Sequence, residues 1–559
     1  MRTQLLTTLL ATATVASPSL AQTITDVSAT TVPRSARLVI HGAGFGSEPG
    51  TVLIGGLTAP ITHWSDAKIR AYVPETTALG GQGLQVVAAT PSNVVTLEVT
   101  MRPPADGRTL WRFEADADYT LHRTGLAPDG TIYFDDVRGR LYAITPDGGL
   151  KWIFDTLLGA AGLGSKGPVA VDDEGTAYVA VAVGGPTESL VAVRADGTLK
   201  WAFTVPIASG WIAGPAIGPD GNVYAVLDSA QQLGNPYDVL ALTPDGAVAW
   251  TTAANPATFE VGQFGSELLF GPTTPGGPLD QLICNADQPA PGSTQTGRNY
   301  GFDVKTGEQR FAVPAGGINN PFMQGQTQLA VDRASGSFYM TEFAGSGGGW
   351  GLQAFDANGL RTWRYDPGIL GAVSEPEVAS DGTILFAWDL GAVIALEPDG
   401  RERWTVDTDQ WFDAPVASPS AAELVLLGSA GIGEPGYVET WSTTDGAVLW
   451  RHVLGGLDGE PVTTTTKPRY TPSGDRVYFT GEPMAFSPDP SFLLFAVRTT
   501  AEPVAGDITG DGVVDFIDLL SLLAAWGPCP APPTACPADL DGDGSVGIVD
   551  LLLVLANWS

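Results

Sequence analysis

The chain has 559 residues, 44% of them hydrophobic and only 16% charged, with 70 Gly and 43 Pro. That composition can bury several cores and excludes a disordered polymer. A net charge of −33, from 28 Lys+Arg against 61 Asp+Glu, repels nucleic acid and anionic membrane surfaces and leaves metal cations as the natural partners.

The first 22 residues, MRTQLLTTLLATATVASPSLAQ, carry one basic residue, Arg2, then a short apolar stretch and the small residues Ser19 and Ala21 before Gln22. This is the pattern of a secretory signal peptide, cleaved near Gln22. The stretch is too short to span a bilayer, and no later segment reaches about 18 uninterrupted apolar residues. A secreted location follows, extracellular or at the cell surface, with the periplasm as the alternative.

Residues 23–102 read as short alternating strands, among them ARLVIHGAGFG, TVLIGG, KIRAYVP and GLQVVAAT, separated by Gly, Pro and Asn turns. The glycines at Gly42 to Gly46 are expected to serve turns, because no helix follows to form a phosphate-binding loop. Ile24 to Val27, Gly42 to Gly46, Val52 to Gly56 and Tyr72 to Pro74 together resemble the IPT/TIG family, which implies an immunoglobulin-like sandwich.

From residue 107 to 499 a repeat dominates. D-G-x-x-x-W occurs at Asp106–Trp111, Asp147–Trp152, Asp196–Trp201, Asp245–Trp250, Asp399–Trp404 and Asp445–Trp450, with variants at Thr306–Phe311 and Asn358–Trp363. Asp-Gly makes tight hairpin turns, and an aromatic after each turn has a large apolar body that a lone sheet cannot bury. The copy at 106–111 lacks strands before it, and the unit from about Gly459 lacks a D-G-x-x-x-W strand after it. The two fragments complement each other, so the amino-terminal strand is expected to complete the eighth sheet and close a ring. These repeats resemble the pyrroloquinoline quinone (PQQ) repeat family, which implies an eight-bladed β-propeller.

Some members of that family are quinoprotein dehydrogenases and others are non-catalytic propellers. Cys284 stands alone and C-x-x-C-H does not occur, which argues against bound PQQ. The propeller holds His122 and His452 but no defensible Ser/His/Asp spacing, HExxH or Walker loop, so no catalytic residue is assigned. The acidic pairs Asp135/Asp136 and Asp172/Asp173 are expected at solvated turns.

The sharpest chemical signal is a duplication, GDITGDGVVDFIDLLSLLAAW and ADLDGDGSVGIVDLLLVLANW, at an interval of 32 residues. In a helix-flanked calcium loop the oxygens come from positions 1, 3, 5, 7 (a carbonyl), 9 and 12, with Gly at 6. Loop one then uses Asp507, Thr509, Asp511, the Val513 carbonyl, Asp515 and Asp518. Loop two uses Asp539, Asp541, Asp543, the Ser545 carbonyl and Asp550. Hard oxygens in a flexible loop favour Ca²⁺ over Mg²⁺, so two calcium ions are expected, and their binding is expected to be coupled to folding. Helices are expected over 518–526 and 550–558, with Trp526 and Trp558 packing against the other copy. Cys529 and Cys536 lie in the Pro-rich link between the copies, where export favours a disulfide, with two unpaired thiols as the alternative.

Asp at position 12, one helix per loop and the tandem copy make residues 505–559 resemble a type I dockerin. This resemblance implies attachment to a cohesin or another cell-surface protein. At positions 10 and 11, where the family often carries small hydroxyl residues, the chain has Phe516, Ile517, Ile548 and Val549. The sequence thus points to a mainly β, multidomain, calcium-binding attachment protein without an assigned catalytic centre. Two alternatives are an enzyme of polysaccharide breakdown, because dockerins ride on glycoside hydrolases, and a PQQ-dependent dehydrogenase.

Overall fold

A computed structural model describes residues 22–102, 108–116, 124–158, 162–165, 168–183, 187–205, 211–228, 238–253, 268–290, 293–316, 329–343, 350–366, 374–388, 391–408, 410–429, 434–457, 460–464, 466–484, 491–500, 506, 508, 514, 516–529, 536–541 and 544–558. The expected signal peptide therefore lies outside the described residues. No helix among them is long and apolar enough to cross a membrane. The chain divides into two compact units, the first being residues 1–103 with 113–116 and 149–153, the second the remainder.

In the first unit two sheets face each other. One runs Thr23–Val27, Arg37–Ala43, Lys68–Tyr72, Ile61–Trp64; the other runs Thr31–Pro33, Val95–Thr100, Gly80–Val87, Thr51–Ile54, Leu57–Thr58. Strand alternation sends Leu38 and Ile40 inward beside Ala71 and Ile69 on one sheet, and Val52 and Ile54 beside Val86 and Leu84 on the other. These eight residues are completely buried. Gly42 serves close approach within the sandwich: a Cβ there would lie 2.1 Å from the Thr23 carbonyl oxygen.

Among the described residues, the chain from Thr109 to Arg498 forms eight four-stranded sheets, three of them with a short extra strand, arranged as the blades of a propeller. Blades one to seven each run inner to outer in chain order. In blade eight the order is Val462–Thr464, Arg476–Pro483, Phe492–Arg498 and finally Thr109–Ala115, so the first strand after the sandwich is the outermost strand of the last sheet.

Neighbouring blades share their cores. Tyr224 and Val239 of blade three pack with Phe270 and Tyr300 of blade four, and Leu426 and Trp441 of blade seven with Leu385 and Trp404 of blade six. Blade eight meets blade one where Phe134 contacts Phe492 edge-on at 5.6 Å and the Trp111 indole N–H donates to the Pro146 carbonyl at 2.9 Å.

The D-G-x-x-x-W repeat explains the succession. Like Trp111, four further tryptophans of the repeat donate the indole N–H to a carbonyl of the next blade's outer turn: Trp201 to Pro244, Trp250 to Val304, Trp363 to Pro398 and Trp404 to Thr443, at 2.8–3.0 Å. The ring then lies beneath the glycine of that turn, as with Trp111 and Gly148 or Trp201 and Gly246. Arg108 completes the series, stacking its guanidinium 4.0 Å over Trp450 and donating to the Thr500 carbonyl at 2.9 Å.

Contrary to expectation, the acidic pairs are not all at solvated turns. Asp135, Asp136 and Asp172 are buried, whereas Asp173 is exposed. Asp136 accepts hydrogen bonds from the backbone N–H of Arg138 and Arg140, the Arg140 guanidinium and the Tyr142 hydroxyl; Asp172 accepts from the N–H of Glu174 and Thr176 and from the Tyr178 hydroxyl. A turn folded under its own sheet needs buried acceptors for its donors, so these carboxylates organise backbone.

Candidate functional site

Two helices form the carboxyl-terminal module, α1 (Phe516–Ala524) and α2 (Ile548–Ala556). Each begins two residues before the expected start. For α2 the cause is visible: Asp550 is its third residue and accepts the Gly547 N–H at 2.7 Å, so Gly547 caps the helix and the last loop positions are already helical.

The duplication is repeated in the contacts. Asp518 Oδ1 accepts the Ile508 N–H at 2.8 Å, and Asp550 Oδ1 accepts the Leu540 N–H at 2.6 Å, the same pair 32 residues later. Both carboxylates are buried. One small core holds Val514 with Val546, Leu522 with Val554, Ile508 with Leu540 and Leu519 with Leu551, each again 32 residues apart. A helix of nine residues has little stability alone, so this shared core and the loops must hold both.

Loop two brings Asp539, Asp541 and Asp550 together, with one oxygen of each lying within 4.8 Å of the others. Gly544 at loop position 6 has φ +88°, a left-handed conformation that favours glycine, and donates its N–H to Asp539 Oδ2 at 2.9 Å. Partial desolvation pushes the Asp550 carboxyl up, but the N–H groups of Gly547, Leu540 and Asp541 outweigh it and hold it below the usual range. Three carboxylates this close repel unless a cation joins them, and a divalent ion with six to eight oxygen ligands suits the geometry. Ser545 is half-buried in the strand pair Gly527–Pro528 with Ser545–Val546.

Of the other expected ligands, Asp518 is placed as its counterpart Asp550 is. Asp507, Thr509, Asp511, Val513, Asp515 and Asp543 lie outside the described residues. Cys529 and Cys536 form a disulfide.

Trp526 and Trp558 depart from expectation: they remain 49% and 44% exposed, because the contact between the copies is made through Leu522 and Val554. They end an exposed apolar stripe that occurs twice, as Phe516, Ile517, Leu520 and Leu523 on α1 with Trp526 just past it, and as Ile548, Val549, Leu552 and Leu555 on α2 with Trp558 just past it. The signal was present in the sequence as five apolar pairs at an offset of 32, but a Leu-rich helix reads equally as core until its partner face is known.

In the propeller, a cavity of about 620 Å³ is lined by inner-strand residues of blades four to seven, including Leu269, Leu329, Glu377 and Ala417. Beside it the half-buried Lys467 ammonium lies 3.1 Å from both Glu375 and Glu377. The three charges satisfy one another, and no nucleophile and base are brought together there among the described residues. Cys284 is buried in the strand Gln281–Ala290, and His452 Nε2 lies 2.8 Å from the Thr109 hydroxyl. His122 lies outside the described residues.

Residues 23–102 match the family described as IPT/TIG domain, and residues 350–487 match PQQ_2, described as outer membrane protein assembly factor BamB. No curated protein matches the chain. Among solved structures, BamB from Moraxella catarrhalis is 14% identical, covering 69% of this chain and 98% of its own, with a TM-score of 0.42. The carboxyl-terminal WD40 domain of Sif2 is 10% identical over 68% of this chain and 97% of its own, at 0.43. The quinohemoprotein alcohol dehydrogenase ADHIIG from Pseudomonas putida HK5 is 12% identical over 76% of this chain and 73% of its own, at 0.34. The chain is thus a mainly β protein that carries an IPT/TIG domain at residues 23–102 and a PQQ_2 segment at 350–487 within its propeller.

Proposed function

We propose that this protein is an exported, non-catalytic attachment protein, in which an eight-bladed propeller offers an interaction face and a calcium-ordered, dockerin-like tail docks to a partner protein. The tail carries the reading. Its two copies place a buried aspartate identically against Ile508 and Leu540, and each presents five exposed apolar side chains at matching positions. Burying such a face is the main source of protein–protein affinity, and calcium explains how a module of two short helices becomes rigid enough to present it. The disulfide is of a kind that persists in oxidising compartments, which supports export. The BamB description of the PQQ_2 family fits a propeller used for protein interaction rather than chemistry.

The test is calcium calorimetry on the full-length protein. Two bound ions are expected, with one lost in Asp518→Asn and the other in Asp550→Asn. Absence of any Ca²⁺ uptake would sink the docking mechanism. Oxidation of alcohols or sugars after addition of PQQ would overturn the non-catalytic reading.

A further inference from the structure

Besides Thr509 against Asp541 and Asp515 against Gly547, the two loops differ in a feature that lies outside the ligand positions. Only loop two has a disulfide beside it, and the bridge reaches both ends of its ion-binding half. On one side Cys536 lies three residues before Asp539 and accepts the Asp539 N–H on its carbonyl at 3.1 Å. On the other side Cys529 donates its N–H to the Gly544 carbonyl at 3.0 Å and continues the strand pair between Gly527–Pro528 and Ser545–Val546. The Cys529 Sγ itself lies 3.5 Å from Asp539 Oδ2, so Cys529, Cys536 and Asp539 form one cluster adjoining the cluster of Asp539, Asp541 and Asp550. Residues 497 and 504, at the equivalent places before loop one, are both valine.

We propose that the Cys529–Cys536 disulfide is a covalent clamp on the second calcium loop, making that loop the tighter of the two sites and making its affinity dependent on the redox state of the bridge. The inference rests on the calcium reading above and deepens it. Gathering carboxylates around an ion costs chain entropy and mutual repulsion, and a crosslink that holds positions 1 and 6 in place removes part of that cost before the ion arrives. The bridge closes a short loop, with a sequence separation of 7, so it restrains this segment and leaves loop one untouched. Both cysteines are half-buried and so remain open to a small reductant. A dithiol would transfer two electrons and two protons to the bridge, breaking the S–S bond, leaving two thiols and itself closing to a cyclic disulfide. The strand that leads into Cys529 would then be held to loop two through the Cys529–Gly544 hydrogen bond, without the covalent link to Cys536.

The experiment is Ca²⁺ titration of the full-length protein by calorimetry, before and after dithiothreitol, with far-ultraviolet circular dichroism confirming that the propeller remains folded. Two resolvable events are expected in the oxidised protein. Reduction is expected to weaken the tighter event roughly tenfold, and that event should be the one missing in Asp541→Asn. The event missing in Asp518→Asn should keep its affinity. The double variant Cys529→Ser/Cys536→Ser, without reductant, should reproduce the reduced titration. Identical titrations in both redox states, or weakening of the loop-one event instead, would overturn the clamp while leaving the calcium reading intact. No Ca²⁺ uptake in either state would overturn both.

Discussion

The indole of Trp404 lies directly beneath Gly446, the glycine of the next blade's Asp-Gly turn: a Cβ on Gly446 would stand 2.8 Å from the ring. Gly446 also has φ +72°, a conformation that costs any other residue. The repeat is therefore a pair of half-sites, each aromatic made for the following glycine.

Gly446→Ala combines left-handed strain with overpacking and is expected to cost about 2–4 kcal/mol. Trp404→Ala leaves a cavity and an unpaired Thr443 carbonyl and is expected to cost about 3–5 kcal/mol. Denaturant unfolding followed by far-ultraviolet circular dichroism measures both. Because the two residues touch, the double variant should lose less than the sum of the single losses.

Cys284 should be inert in the folded protein. Its thiol is fully buried, and desolvation pushes it up to about 12, so almost no thiolate forms at neutral pH. Iodoacetamide is expected to leave it unmodified under native conditions and to label it once the chain is unfolded in guanidinium. Rapid native labelling, read by mass spectrometry, would contradict the buried placement.

Asp413 supplies a pH dependence. It follows the inner strand Trp411–Phe412 of blade seven and is exposed as a residue, yet desolvation by the protein around its carboxyl pushes that group up to about 6 against the pull of the Thr464 hydroxyl 3.4 Å away. The folded value lies above the ordinary 3.8, so between about pH 4 and 6 the folded state keeps a proton that the unfolded chain has released. Its contribution to stability is fullest below about pH 4 and declines until about pH 6. Asp413→Asn, which fixes the uncharged form, is expected to melt at a higher temperature than the parent at pH 8, with the difference vanishing near pH 4.

The duplicated apolar stripe predicts a specific loss. Leu520→Asp and Leu552→Asp each place a charge on an exposed face, so calcium uptake and helix content should change little while docking weakens. Pull-down from a cell-surface extract, with and without EGTA, reads this. A partner retained by the double variant would show that docking uses another surface.

Much of this architecture is legible in the chain because its signals are local and repeated. Asp-Gly followed by an aromatic marks each hairpin and the residue that must be covered, and the unmatched copies at residues 106–111 and after about Gly459 already announce a closed ring. The oxygen-bearing spacing that ends at Asp518 and Asp550 is equally local, because an ion loop draws its ligands from twelve consecutive residues. Burial is not local in this way. Asp136 and Asp172 look like solvated turn residues until the turn folds beneath its own sheet, and Trp526 and Trp558 look like core until Leu522 and Val554 occupy the space between the helices.

By itself, then, the sequence determined the repeat, its closure and the spacing of the carboxylates in the duplicated loops, since each depends on residue types at fixed short spacings. Tertiary structure alone decided which side chains face water and that the Cys529–Cys536 bridge lies against Asp539. Exposure and contact between segments depend on how separate strands and helices pack, and no spacing within one segment encodes that.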